Sequence, residues 1–333
     1  MTLCALNAEA GVILLYHHVD VNTPAITSIS PDQFDKHLAI IEKEGFRVLS
    51  LDTLIDNALN GDADVKEVAI TFDDAYISIY REAFPRLKAK GWPFTIFVSP
   101  ALVGTGNPFY LDWQQLKEMA DHGVAIENHT MNHPHLVRRL SGESEEIWRN
   151  RVTREITDAS DALTEAGFSP TRFAYPYGEY DLALTEIIRS LGLQGFGQQS
   201  GAIGPMSNPA LLPRYPLAGV YVGESAFRDK LRSLALPIKH PDIDPLVSEN
   251  LKPALLLDFV NPNVNTSRLT CYGPGGVMQI SEEARGRVSI TPASELPIGR
   301  SRYNCTLPKG NRYHWFSQLW MRKKTDGSWY QEP

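Results

Sequence analysis

The 333-residue chain has no apolar run approaching the roughly 18–20 residues that a membrane-spanning helix requires. It also lacks an excess of basic residues, since 32 Lys and Arg stand against 39 Asp and Glu and the net charge is −7. Nucleic-acid binding needs a clustered basic face. The sequence therefore predicts no transmembrane segment and no nucleic-acid partner. Only three cysteines occur, without a C-x-x-C pair, which excludes a cysteine-rich zinc finger.

Several catalytic signatures are also missing from the sequence. There is no G-x-S-x-G nucleophile elbow, no phosphate-binding P-loop and no H-E-x-x-H metalloprotease motif. The one glycine-dense segment, residues 192–204, lacks the spacing of a dinucleotide-binding turn. The sequence therefore gives no support for a serine hydrolase with this elbow or for a nucleotide-dependent enzyme.

The pattern from residue 11 to residue 240 alternates short β-like runs with helical stretches. Strands that alternate with helices indicate a parallel sheet. Seven or so such repeats, joined by some long loops, predict an α/β fold: a distorted (β/α)7-type barrel.

The pattern changes after Pro241. Residues 241–253 are rich in proline and are expected to form a linker. From residue 254 to residue 333, short apolar runs alternate with Gly, Pro and Asn turns, which is typical of a small all-β sandwich. Cys271 and Cys305 lie in two of these runs, where one disulfide between them is an open expectation.

The first ten residues end in Ala8-Glu9-Ala10, a sequence of the A-x-A type found at export-signal cleavage sites. Ten residues are too few for a whole signal peptide. They are either the last part of a truncated export signal or an ordinary chain terminus, and the first interpretation predicts a secreted or periplasmic protein.

Two polar motifs follow two of the predicted strands. Asp73 and Asp74 end the run T-F-D-D, and His129 and His133 lie four residues apart in H-T-M-N-H. An isolated Asp pair is more often a turn or a helix cap, and an isolated histidine pair is more often a polar loop. Their joint occurrence at strand ends, where α/β folds place their ligands, predicts a shared metal site.

Three of these side chains are expected to bind the metal, and the fourth to act as a general base. We assign Asp74, His129 and His133 as the ligands and Asp73 as the base, although spacing alone does not say which Asp has which role. If the loop coils, the two histidines lie one helical turn apart and face one point. Zinc is the first metal expected for such a site, and Co²⁺, Ni²⁺ or Fe²⁺ suit the same mixed donors.

Three further strand ends carry candidate catalytic groups. The motif Y-P-Y-G has two interpretations: the amide of Tyr177 faces a developing oxyanion, or the motif is an ordinary turn after a strand. Either His17 or His18 is a candidate general acid for a leaving amine, or a core histidine. Arg214 is a candidate to pair with the carboxylate of the base and keep it ionised. The alternative is that Arg214 is an ordinary surface arginine.

Aromatic residues next to these motifs are candidates for stacking on sugar rings, although core packing explains most aromatic residues. The residues beside the motifs are Tyr110, Trp113, Tyr177 and Tyr180.

With these motifs, the chain resembles the polysaccharide deacetylases of carbohydrate esterase family 4, the NodB-homology domain, and above all its poly-β-1,6-N-acetylglucosamine deacetylases. T-F-D-D matches the first family motif, H-T-M-N-H the second and Y-P-Y-G the third. The histidine motif of this branch stands at the N-terminal end in circularly permuted order, and L-L-Y-H fits it. The resemblance spans about residues 11–240.

The resemblance implies a metal-dependent enzyme that removes N-acetyl groups from N-acetylglucosamine-containing poly- or oligosaccharides and releases acetate. It implies that Asp73 is the base and that His17 is the acid. Many relatives have an arginine where this chain has Ala174, and Arg214 is a candidate to replace it. The alternatives are an O-acetyl esterase acting on xylan-like glycans, or a glycan-binding protein without activity. Residues 254–333 lie outside the resemblance.

Overall fold

The computed structural model describes residues 10–64, 66–247 and 249–331. The strands of the N-terminal two thirds are, in chain order, β1 (Val12–Tyr16), β2 (His18–Val19), β3 (Ser28–Ile29), β4 (Arg47–Val48), β5 (Glu67–Asp73), β6 (Thr95–Val98), β7 (Ala125–Asn128), β8 (Arg172–Ala174), β9 (Gln194–Phe196) and β10 (Tyr215–Pro216). The helices are α1 (Pro31–Lys43), α2 (Leu51–Asn60), α3 (Phe84–Lys90), α4 (Trp113–Asp121), α5 (Glu145–Glu165), α6 (Leu182–Ser190) and α7 (Glu224–Leu231).

Local sequence explains where these helices begin and end. The hydroxyl of Ser30 accepts a hydrogen bond from the Gln33 amide at 3.2 Å, with a proline at the first position of α1. The structure adds a helix, α2, that the sequence pattern did not predict. Its signals are nevertheless ordinary: Ser50 caps its start, and Gly61 ends it with a φ of 81°.

The central sheet is parallel and has the strand order β10-β1-β5-β6-β7-β8-β9, with β4 beside β5. The two edge strands of this sheet, β9 and β10, lie close together. The amide of Leu212, shortly before β10, donates to the carbonyl of Gly195 in β9 at 2.7 Å. The helices cover the sheet, and the strands between them are almost entirely buried. This parallel, barrel-like α/β arrangement confirms the predicted fold class.

The rest of the chain is all β, as predicted. Its strands are β11 (Leu234–Ala235), β12 (Leu246–Val247), β13 (Leu255–Asp258), β14 (Thr270–Gly273), β15 (Gly276–Val277), β16 (Gln279–Ala284), β17 (Arg287–Thr291), β18 (Gly299–Lys309) and β19 (Arg312–Arg322). One sheet has the order β11-β19-β18-β14-β15, with β12 also on β19, and a second has the order β13-β17-β16. Cys271 and Cys305 are opposite each other on β14 and β18 and form a disulfide.

Two of these strands lie in segments that the sequence pattern did not assign to the C-terminal β domain. β11 precedes residue 240, and β12 lies in the segment 241–253 that was expected to be a linker. Both pair in parallel with β19. The division into a domain of residues 11–240, a linker and a domain of residues 254–333 stays a prediction about independent folding. The proposed export signal falls on residues 1–10, of which 1–9 lie outside the described part.

Among the described residues, no helix is both long and apolar enough to cross a membrane.

Candidate metal centre and active site

The parallel sheet brings the polar motifs to one edge. Asp73 is the last residue of β5, His129 follows β7 directly, and Tyr177 lies three residues after β8. Arg214, which was expected at the end of a strand, instead precedes the two-residue strand β10. The carboxyl ends of parallel strands share an edge of the sheet, where α/β folds bind their ligands.

The three predicted metal ligands meet at one point. The Oδ1 atom of Asp74 lies 3.3 Å from Nε2 of His129 and 3.2 Å from Nε2 of His133. One ligand atom from each residue can be chosen so that all lie within 4.8 Å of one another. Asp74 and His129 are buried and His133 is partly exposed, so the cluster has a buried side and an open side.

The donor set of this cluster fits a divalent cation. The Nδ1 atom of His129 lies 2.8 Å from the carbonyl of Ala174, which favours a proton on Nδ1 and leaves the Nε2 lone pair facing Asp74. Oδ1 of Asp74 is buried and has no hydrogen-bond partner. Converging lone pairs of a carboxylate and two imidazoles are the arrangement that a metal ion of the zinc type stabilises.

Backbone strain is concentrated in this region. The non-glycine residues with positive φ in the described part are Asp74 (72°), Ala75 (54°), Thr130 (67°), His133 (55°) and Tyr177 (60°). The left-handed region is costly for residues with a Cβ, and such strain typically gathers at functional sites. The segment between the two histidines is not helical. Left-handed turns, and not the helical turn that was considered, therefore bring the imidazoles together.

The predicted base and its predicted arginine form a buried ion pair. The Nη1 and Nη2 atoms of Arg214 donate to the two oxygens of Asp73 at 2.7 and 2.8 Å, and both side chains are fully buried. The guanidinium also donates to the carbonyl of Gly197 at 3.0 Å and to the hydroxyl of Thr71 at 3.3 Å. Burial alone would raise the pKa of Asp73, but Arg214 and the nearby His129 lower it below its ordinary value.

The two candidate acids lie in different surroundings. Burial lowers the pKa of His17, and the negative charges of Asp74 and Asp73 oppose that shift. His18 stacks on the ring of Tyr76, with ring centroids 3.6 Å apart, and burial lowers its pKa to about 4. His17 is thus the histidine that both site carboxylates act upon, and its role as the acid stays a prediction.

The Y-P-Y-G motif forms a tight turn beside the metal ligands. Tyr177 has a φ of 60°, and its ring centroid lies 4.6 Å from that of His133. Gly178 also has a positive φ, and a Cβ there would lie 2.7 Å from Cβ of Gln198. Only glycine fits this close approach.

The aromatic residues predicted to bind sugar are dispersed. Tyr110 stacks on Tyr76 at 5.2 Å, close to Asp74. Trp113 lines a groove between α4 and α5, beside Lys117. Tyr180 lies in the core with only 3% of its surface exposed, so its ring has no open face for a sugar.

Sequence reasoning overlooked some side chains beside the site. Tyr76, two residues after Asp74, is partly buried, and burial, followed by the negative charge of Asp74, raises the pKa of the tyrosine. Its position next to T-F-D-D was the available signal. The buried carboxylate of Glu179 accepts a hydrogen bond at 2.8 Å from His135, which is partly exposed, and the sequence offered no signal for this contact.

Comparison with known proteins agrees with this geometry. Residues 60–196 match the sequence profile of the polysaccharide deacetylase family. A Bacillus subtilis protein, YxkH, is 28% identical over 193 residues, which are 57% of this chain and just under two thirds, 65%, of that protein. The poly-β-1,6-N-acetyl-D-glucosamine N-deacetylase of Staphylococcus aureus strain MRSA252 is 26% identical over 212 residues, 62% of this chain and 71% of its own.

Among solved structures, the Streptococcus pyogenes deacetylase PplD, in complex with acetate, superposes with a TM-score of 0.59 at 26% identity. The superposition covers 67% of this chain and 98% of PplD. The profile match contains all four residues of the two polar motifs. Residues 60–196 are therefore similar to the polysaccharide deacetylase family, and a poly-β-1,6-N-acetyl-D-glucosamine N-deacetylase is among the proteins that the chain resembles.

Proposed function

We propose that this protein is a metal-dependent hydrolase that removes N-acetyl groups from N-acetylglucosamine-containing poly- or oligosaccharides and releases acetate. One observation carries the proposal: three converging ligand atoms lie beside a fully buried carboxylate that an arginine holds in a bidentate pair. Amide hydrolysis needs such a combination, because a weak electrophile and a weak nucleophile must both be activated.

Asp74, His129 and His133 would hold the metal. A divalent cation bound there would polarise the acetamide carbonyl and increase the acidity of water, and zinc suits the Asp-His-His donor set. Co²⁺, Ni²⁺ and Fe²⁺ suit the same donors, and metal analysis of the purified protein distinguishes them.

Asp73 takes a proton from the attacking water in this mechanism. Its lowered pKa keeps it ionised at neutral pH, and Arg214 fixes its orientation through two hydrogen bonds. The water oxygen then forms a bond to the acetyl carbon. Arg214 thereby takes the place of the family arginine that is replaced here by Ala174.

The remaining steps fall to Tyr177 and His17. The backbone amide of Tyr177 donates to the oxygen that gains negative charge as water adds to the carbonyl. His17 gives a proton to the nitrogen as the C–N bond breaks, since an amine anion cannot leave. The products are acetate and the protonated amino sugar. Atoms and charge balance once Asp73 returns its proton to solvent and His17 takes one up.

The glycan class rests on the relatives. The S. aureus relative is described as acting on poly-β-1,6-N-acetyl-D-glucosamine, and we propose an acetylated glucosamine polymer here as well. The test is acetate release from chitin oligomers, β-1,6-linked oligomers, peptidoglycan and acetylxylan. Acetate from acetylxylan alone would favour the esterase alternative, and no acetate from the metal-loaded protein would favour a binding protein.

We further propose that the protein works outside the cytoplasm, in the periplasm or as a secreted protein. The disulfide between Cys271 and Cys305 supports this location, because disulfides persist mainly in oxidising compartments. Fractionation of the native host, followed by detection of the protein, tests it.

A further inference from the structure

The Tyr177 turn is contacted by residues far away in the sequence. Arg300, in strand β18, donates a hydrogen bond from Nη1 to the carbonyl oxygen of Tyr177, and its guanidinium lies 5.9 Å from the centre of the Tyr177 ring. The contact joins the C-terminal sheet directly to the peptide unit that follows Tyr177.

A second contact reaches the turn from Tyr330. Its hydroxyl donates to Oε1 of Glu179 at 2.6 Å, and His135 donates from Nδ1 to Oε2 of the same carboxylate at 2.8 Å. Arg138 lies 3.4 Å from Oε1 and donates to the carbonyl of Tyr330 at 3.1 Å. The Glu179 side chain is fully buried, and its pKa is lowered because these donors outweigh burial.

His135 carries this network to the turn. Its ring stacks on that of Tyr177, with centroids 3.7 Å apart and planes at 11°. Tyr330, Glu179 and His135 thus form a continuous chain of contacts that ends on the Tyr177 ring. The ring of the metal ligand His133 also lies beside the Tyr177 ring, with centroids 4.6 Å apart.

The turn needs such support. Tyr177 is held at a φ of 60°, and a non-glycine residue persists in this conformation only when its surroundings enforce it. An oxyanion donor is effective only when it is fixed in place before the reaction, because a displacement of about 1 Å can cost roughly 100-fold in rate.

We propose that Arg300 and Tyr330 are positioning residues that fix the Tyr177 amide, so that the C-terminal segment is a working part of the active centre. The proposal rests on the proposed deacetylase function. The contacts described above run from both residues to the Tyr177 turn, so we expect their removal to lower turnover and to leave metal content unchanged.

The test uses the full chain with Tyr330→Phe, Arg300→Met, Arg300→Lys and a control, Tyr272→Phe. Tyr272 lies on β14 with 52% of its surface exposed. We expect Tyr330→Phe and Arg300→Met to lower kcat roughly 10- to 100-fold, as for lost supporting contacts behind a catalytic group. KM and metal content stay unchanged, Arg300→Lys recovers part of kcat, and the control keeps wild-type turnover.

Hydrogen–deuterium exchange gives a readout that is independent of substrate. The amides of Gly178 and Glu179 bond to carbonyls within the turn, and they are expected to exchange faster in Tyr330→Phe and Arg300→Met than in the control. Wild-type exchange and wild-type kcat in both variants overturn the proposal. If the wild-type protein releases no acetate, the proposed function fails, while the exchange comparison still decides whether these residues hold the turn.

Discussion

Two walls of the site are built differently. The wall at β5 and β10 contains Asp73 and Arg214, which are fully buried and held by groups of the barrel itself. The wall at the Tyr177 turn is backed by Arg300 and Tyr330, more than 120 residues further along the chain. The barrel therefore positions the base and the metal ligands through its own residues, whereas the Tyr177 turn depends on contacts from the C-terminal segment.

The largest effect is expected at the metal ligands. Substitution of His129 by Ala removes one of three converging donors, and we expect loss of both bound metal and measurable turnover with the fold retained. Asp74→Ala and His133→Ala should behave in the same way. Elemental analysis and circular dichroism check this, with His122→Ala, an exposed histidine at the end of α4, as the control. Wild-type metal content in any ligand variant would remove that residue from the ligand set.

Asp73→Asn should keep the metal and lower turnover by about 10²–10⁴-fold, the usual worth of general-base assistance. The variant also leaves Arg214 beside a neutral amide, and breaking a buried ion pair in this way typically costs about 3–5 kcal/mol of folding stability. Kinetics are therefore measured below the melting temperature of the variant. Turnover at the wild-type rate would show that Asp73 is not the base.

His17→Ala should separate two classes of substrate. An amide needs a proton on its leaving nitrogen and an aryl acetate does not, so we expect a loss of about 10²-fold on the acetylated glycan and a much smaller loss on nitrophenyl acetate. His18→Ala is the matched control. Equal losses on both substrates would indicate a structural role, and the selective loss in His18→Ala would move the acid role to that residue.

Arg214→Lys should give the smallest effect, a shift in pH dependence. Arg214 lowers the pKa of Asp73, so a lysine that cannot form the bidentate pair should raise that pKa and move the acidic limb of the pH–rate profile to higher pH. The wild-type pair contributes its full stability above the ordinary carboxyl pKa, and this contribution is lost as the pH falls through the lowered value. An unshifted limb would show that Arg214 does not set the ionisation of Asp73.

The two walls also differ in how far the sequence predicts them. The ligands and Asp73 lie at or after the carboxyl ends of strands, so a strand–helix pattern is enough to bring them to one edge of the sheet. The support of Tyr177 by Tyr330 and Glu179 depends on how the C-terminal sheet docks, and no local pattern encodes contacts between residues 151 positions apart. The buried Tyr180 also meets this sheet, because Gln318 from β19 donates a hydrogen bond to its hydroxyl at 3.3 Å.

The most direct test of the central claim is a metal titration of the stripped protein with simultaneous measurement of acetate release from a β-1,6-linked N-acetylglucosamine oligomer. We predict that turnover rises in proportion to bound metal and levels off at about one ion per chain, the capacity of a single Asp-His-His site, with an equal amount of free amine formed. Full turnover by metal-free protein, or a loaded protein that binds the ion at Asp74, His129 and His133 and releases no acetate, would contradict the account.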